Sequence, residues 1–189
     1  MGIAGVLLVA AATYALWPRD SHNRVDPCGA VDERPQQSGL QAASDATVCL
    51  VNRERTSRGL PALRENSLLS QASKEHSDEM VRINYFEHTS PDGRSVGDRL
   101  RAVGYSRGFS ASGGENIAYG VGGKGTPASI VKAWMHSPGH RADILRPAFT
   151  EIGIGIALGA PEVPRGVQDE SATYTTDFGG VVDPSLPNG

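Results

Sequence analysis

Ile152-Gly153-Ile154-Gly155-Ile156-Ala157-Leu158 is the stretch whose reading decides the fold. Large and small residues alternate with a period of two, so the isoleucines and Leu158 share one face of an extended, half-buried strand. A second candidate strand runs from Thr173 to Val182, with Tyr174, Thr176 and Phe178 on one side. Between the two, Gly159 to Ser171 reads as a polar loop interrupted by Pro161 and Pro164.

Upstream the period changes. Leu69, Ala72, Ser73, His76 and Met80 follow the three-to-four spacing of one helix face, on a helix that starts at Asn66 or Ser67. Asp45 is placed to cap an earlier helix that runs to Arg58 and stops at Gly59. Ser95 and Asp98 have capping-box spacing for a helix ending at Gly104. Thr126-Pro127 starts another, with Ile130, Val131 and Trp134 as its buried stripe and Pro138-Gly139 as its stop. Helices first and antiparallel strands later give an α+β domain with helices packed on a small sheet.

Composition limits what this domain does. The chain has 189 residues, 39% hydrophobic and 21% charged, enough for one folded domain with a core. Its net charge is -3 with no lysine or arginine run, which argues against nucleic acid or an anionic membrane surface as the main partner. Residues 1–17 are apolar but shorter than the ~20 residues a spanning helix needs. They fit the apolar part of a secretory signal, with Ala10, Ala12 and Ala15 near a cleavage point, or a retained anchor contacting the membrane. Residues 18–42 read as a linker of low order, 43–182 as the folded domain and 183–189 as a frayed tail. Cys28 and Cys49 are the only cysteines, and an even count in an exported chain makes them a disulfide candidate.

Several familiar patterns fail on context. Gly120-Val-Gly122-Gly-Lys-Gly125 matches the dinucleotide fingerprint in letters, but no parallel β-α-β unit follows. Gly108-Phe-Ser110-Ala-Ser112 lacks the last glycine of a nucleophile elbow, and His76-Ser-Asp-Glu79 is not a zincin motif. His136 and His140 have helical spacing, with Pro138-Gly139 between them. What remains is three titratable residues in turn-rich segments: His88 before Thr-Ser-Pro-Asp-Gly93, Glu115 after Gly113-Gly114, and His140 after Ser137-Pro-Gly.

Five ordered blocks join these residues: Tyr85-Phe86-x-His88-Thr-Ser-Pro-Asp-Gly, Gly114-Glu115-Asn116-Ile117, Trp134-Met-x-Ser-Pro-Gly-His140-Arg, Phe149-Thr-Glu-Ile-Gly and Thr175-Thr-Asp-Phe178-Gly. With the Asn52-x-x-Arg55 segment before them, they resemble the bacterial branch of the CAP superfamily, which is named for cysteine-rich secretory, antigen 5 and pathogenesis-related 1 proteins. The likeness covers roughly residues 44 to 182. It implies a three-layer α-β-α sandwich with a central antiparallel sheet and a large open cleft. Eukaryotic members carry two histidines and two acidic residues there, able to hold a divalent metal. His88 matches the first histidine and Glu115 the first glutamate, whereas Ser137 and Ala148 stand where the second acid and second histidine are expected. His140 is the residue that can substitute in space.

Two imidazoles and a carboxylate suffice for a zinc site with an open position, or for an acid–base pair. The functional expectation is therefore an extracytoplasmic, monomeric protein whose His88/Glu115/His140 cleft binds a small ligand, a lipid, a divalent metal held by His88 and His140, or a cell-envelope partner. The alternative is a hydrolase of peptides or esters using metal-activated water or a His–Glu pair. His76 is expected as a core or edge histidine, His136 as a surface residue and Trp134 as core.

Overall fold

The alternation from Ile152 to Leu158 serves two different neighbours. The structure, a computed structural model, describes residues 26–105 and 110–182. The readings of residues 1–17 and 183–189 lie outside the described residues. Helices α1 (Pro35–Ser38) and α2 (Leu40–Thr56) come first, then strand β1 (Arg64–Glu65), α3 (Ser67–Ile83), α4 (Val96–Ala102), β2 (Ser110–Val121), α5 (Pro127–His136), α6 (Pro138–Ile144), β3 (Glu151–Leu158) and β4 (Ser171–Val182). The sheet order is β1-β3-β4-β2. The β2–β4 and β3–β4 pairs are antiparallel, as expected, but the short β1 adds to β3 in parallel, so the sheet is mixed.

On one face of β3, Ile152, Ile154 and Ile156 join a core with Val51 of α2, Trp134 of α5 and Phe178 of β4. On the other face, a methyl group at Gly153 would stand 2.5 Å from Leu69 Cβ and closer still to the backbone of Ser70. At Gly155 it would meet the backbone of Ser73 and Lys74. The small residues let α3 lie directly on the strand backbone. β3 is thus buried on both faces rather than half-buried, because helices cover both sides in the α-β-α arrangement.

The caps hold most helices where the sequence puts them. Asn66 Oδ1 accepts from Leu68 N–H at 2.9 Å, Ser95 and Asp98 form the reciprocal box, and Thr126 caps α5 with Pro127 in its first turn. Three boundaries differ. Asp45 lies inside α2, which begins at Leu40. Residues 26–42, expected as linker, carry α1 and the start of α2, and Cys28 and Val31 are core residues. A few anchors are enough to fix this polar stretch: the Cys28–Cys49 disulfide, with Cα atoms 5.4 Å apart, and Val31 O accepting from Ala128 N–H at 2.9 Å. Pro138 does not end the helical region; it sits in the first turn of α6, so His140 lies on a helix rather than in a turn.

Arg55 closes the far side of this layer. Its guanidinium is buried without a carboxylate and donates to the carbonyls of Pro61, Ile144, Arg146 and Phe149 at 2.7 to 3.1 Å. Among the described residues, no helix is long and apolar enough to cross a membrane.

Candidate functional site

Glu115 lies in the middle of β2, not in a glycine-flanked turn, and pairs in register with Asp177 of β4. The flanking glycines serve packing: a Cβ at Gly113 would approach Leu100 to 3.2 Å, and one at Gly114 the Phe149 ring to 2.9 Å. The Glu115 side chain is only 1% exposed. His88 Nδ1 is 2.7 Å from Glu115 Oε1, and Arg99 Nη2 donates to Glu115 Oε2 at 2.5 Å. A buried carboxylate held by two charge-assisted donors is strongly oriented.

His88 is the outward end of this assembly, with half of its side chain exposed. Because Glu115 can only accept, Nδ1 carries the proton, and Nε2 is left without a hydrogen-bond partner among the described residues. The hydrogen bond to Glu115 raises the His88 pKa above its ordinary value, against the opposing effect of burial. The loop that bears His88 is fixed from three sides. Arg99 Nη2 donates to His88 O at 3.0 Å, and His76 Nε2 donates to Glu87 O at 3.1 Å. Glu79 accepts from Tyr85 Oη and Ser90 Oγ, both at 2.6 Å, and from Arg94 Nη2 at 2.8 Å. Burial alone would raise the Glu79 pKa, but these donors hold it below the usual value.

His76 is fully buried in α3, as expected of a core histidine, yet it also faces the site: its Nε2 is 3.8 Å from Glu115 Oε2. Burial pushes its pKa down. Asp177 is the other buried carboxyl. Ser73 Oγ lies 2.9 Å from its Oδ2 and accepts from its backbone N–H at 3.1 Å, while Oδ1 has no partner among the described residues. Burial and the adjacent Glu115 charge push the Asp177 pKa up to about 8, which favours the neutral acid.

His140 joins the site less directly than the sequence suggests. It stands in the first turn of α6, and its carbonyl accepts from Asn116 Nδ2 at 3.0 Å. Its ring makes no hydrogen bond to His88 or Glu115 among the described residues. Burial, and then the charge of nearby His88, lower its pKa. His136 is exposed, its Nδ1 2.7 Å from Lys132 O, and Trp134 is core, its Nε1 donating to Ile117 O at 3.1 Å.

The donor set does not fit a metal as it stands. Both Glu115 oxygens are engaged, by His88 and Arg99. Among the described residues, no group of three or more His, Cys, Asp or Glu is placed to hold an ion. The arrangement instead offers an imidazole with a fixed tautomer, poised to donate from Nε2 when protonated. Arg99, Glu79 and Asp177 are site residues that sequence reasoning missed. The one signal was Arg99, which follows the Ser95/Asp98 cap at a helix position that faces inward.

The model of the family described as "CAP: Cysteine-rich secretory protein family" matches residues 48–162, more than half of the chain. YkwD of Bacillus subtilis is 42% identical over 118 residues, which are 62% of this chain and 44% of that protein. The B. subtilis membrane protein YlbC is 32% identical over 134 residues, 70% of this chain and 36% of that protein. The chain therefore spans less than half the length of these relatives. Among solved structures, an extracellular protein with an SCP domain from Bacillus anthracis is similar at TM-score 0.59 and 28% identity, covering 73% of this chain and 40% of that one. An outer surface protein of Borrelia burgdorferi shares the fold at TM-score 0.59 and 19% identity, covering 71% of this chain and 90% of that one. With the family model matched over more than half of its length, the chain belongs to the CAP, or cysteine-rich secretory protein, family.

Proposed function

We propose that this is an extracytoplasmic binding protein whose cleft takes a ligand through His88, with an anionic or hydrogen-bond-accepting group of that ligand meeting Nε2. The observation that carries this reading is the His88–Glu115 pair: a half-exposed imidazole pinned at 2.7 Å to a buried carboxylate. Glu115 favours the charged imidazolium, and Arg99 and Glu79 fix the loop, so little ordering remains to be done on binding. The extracytoplasmic setting is supported by the Cys28–Cys49 disulfide and by the relatives described as extracellular or outer-surface proteins.

NMR titration of the full chain with succinate, inorganic phosphate and zinc tests the reading. Succinate or phosphate should perturb His88, Asn116 and His140 together, and His88→Gln should abolish the effect. A response spread evenly over the surface, or one that survives His88→Gln, would sink it. Saturable zinc binding lost in both His88→Ala and His140→Ala would favour the metal-holding cleft instead. The alternative reading is hydrolysis, in which the neutral form of His88, with Nδ1 held by Glu115, takes a proton from water at Nε2. In that case a peptide or ester panel is turned over and Glu115→Ala abolishes turnover; unchanged turnover excludes this cleft.

A further inference from the structure

The opposite edge of the sheet carries a second feature, independent of the His88 cleft. β1 covers only the start of β3: Arg64 N–H donates to Thr150 O at 3.0 Å and Asn66 N–H to Ile152 O at 2.9 Å, after which the chain turns into α3. Backbone groups of alternate residues point to the same side of a strand. The N–H and C=O of Ile154 and Ile156 therefore point to the side that β1 has left. The pairing with β4 agrees, since Gly153 and Gly155 stand opposite Asp177 and Thr175, and Gly159 N–H continues that series to Ser171 O at 2.8 Å. Ile154 and Ile156 are 5% and 3% exposed. Among the described residues, no strand or side chain pairs with their four outward backbone groups. A strand edge with unpaired backbone groups is a ready template for a further strand.

A slot of about 330 Å³ follows the edge, walled by Gln41 and Ser44 of α2 and by Ser70 and Gln71 of α3, with Ile154 and Ile156 between them. A further cavity of about 330 Å³ lies at the next residues along the strand, Leu158 and Gly159. The surroundings are acidic. Glu65 and Asp169 line the two cavities without a basic partner among the described residues. Asp45 and Glu75 accept from the lining amides of Gln41 and Gln71 at 2.7 and 2.9 Å. Lys74, the basic residue of the lining, is bound to Asp78.

We propose that this slot binds an extended basic peptide of a partner protein, which adds a strand beside Ile154 and Ile156 and sets lysine or arginine side chains against Glu65, Asp169 and their acidic neighbours. The backbone pairing supplies affinity and the acidic rim supplies selectivity, as in other strand-addition sites. The helices α2 and α3 rise on both sides of the edge, so a single extended segment fits between them and the sheet of a second folded copy does not. A segment of five residues, about 16 Å long, spans the edge from Ile154 to Leu158.

The test uses the full chain and three synthetic pentapeptides: alternating lysine and valine, the same peptide with its pairing amides N-methylated, and alternating glutamate and valine. The basic peptide should give saturable shifts at the amides of Ile154 and Ile156, protect them from hydrogen exchange and weaken with added salt. N-methylation should weaken binding roughly tenfold through the lost backbone hydrogen bonds. Ser44→Trp, which fills the slot, should abolish binding while His88 keeps its response to succinate. Equal binding of the N-methylated or the acidic peptide would overturn the proposal. So would shifts confined to the His88 cleft, or Ile154 and Ile156 amides already protected before any peptide is added.

Discussion

Replacing Gly153 with alanine puts a methyl group where α3 already stands. The added Cβ would lie 2.5 Å from Leu69 Cβ, whereas carbon atoms pack comfortably at about 3.5–4.0 Å. α3 must therefore retreat by about 1 Å or more, because β3 is backed on its other face by packed isoleucines and cannot yield. Overfilling a packed core costs about 1–3 kcal/mol. The upper end applies here, since the nearest atoms belong to a helix backbone and have no rotamer to change. Alanine's lower entropy cost returns roughly 0.5–1 kcal/mol, leaving a net loss of about 2 kcal/mol. For a domain of this size that is a fall in Tm of about 4–8 °C. Thermal and urea unfolding, each followed by circular dichroism, give the assay. Gly139→Ala is the control, because nothing lies within 4 Å of its added methyl and it stands in α6. A Gly153→Ala protein as stable as the wild type would refute the close approach of α3, and with it the reason for the alternation.

Three further predictions concern charge and the disulfide. Glu115→Gln puts a neutral amide in place of the carboxylate that raises the His88 pKa, so the His88 titration midpoint, read by NMR, should move to lower pH; an unmoved midpoint would deny the pair its role. Asp177, raised from 3.8 to about 8, keeps a proton that the unfolded chain gives up. Its contribution to stability is complete below pH 4 and is lost as pH rises towards 8, so Asp177→Asn should flatten that fall in urea midpoints between pH 5 and 8. His76 and His140, whose pKa values burial lowers, act in the opposite sense, so the difference between the two proteins is the readout; midpoints that run parallel from pH 5 to 8 would contradict a protonated Asp177. Replacing Cys28 and Cys49 together by serine should cost about 3 kcal/mol by the loop-entropy argument for a separation of 21 residues, measured as a drop in urea midpoint.

The sequence made the elements legible wherever local chemistry fixed them. Asn66, Ser95 and Thr126 are caps whose side chains satisfy backbone donors within the same turn, so no distant partner is needed to see them. β3 and β4 announced themselves by alternation, and the matched blocks marked His88 and Glu115. β2 was hidden because Gly113 and Gly114 mimic a turn; their purpose, the approach of Leu100 and Phe149, depends on residues elsewhere in the chain. Residues 26–42 looked like linker because their polarity is real and their anchorage is supplied by Cys49 and Ala128. The site was half legible for the same reason. His76, Arg99 and Asp177 come from α3, α4 and β4, and only the β2–β4 register and the packing of α3 bring them to Glu115.

That assembly depends on an asymmetry between the two faces of the sheet. Towards α2 and α5 the packing is apolar, with Ile152, Ile154, Ile156, Tyr174, Phe178 and Trp134 in one cluster. Towards α3 much of it is polar: Ser73 and Ser77 donate to Gly153 O and Gly155 O at 3.2 and 2.9 Å, and Ser77 also reaches Thr175 Oγ1 at 2.8 Å. Hydrophobic burial is insensitive to pH, but a layer that ends in Asp177, His76 and Glu115 is not. The hydrogen bonds and the glycine contacts that hold α3 are also the ones that position His76 and shield Glu115. Loosening α3 should therefore disturb the His88 pair before the apolar half of the fold gives way. In Gly153→Ala, carried in a Trp17→Phe background so that Trp134 alone reports, the His88 titration midpoint should fall towards that of an unpaired imidazole at urea concentrations where the fluorescence is still native. Loss of both signals at the same concentration would mean that the two faces unfold as one unit and that the polar layer has no separate stability.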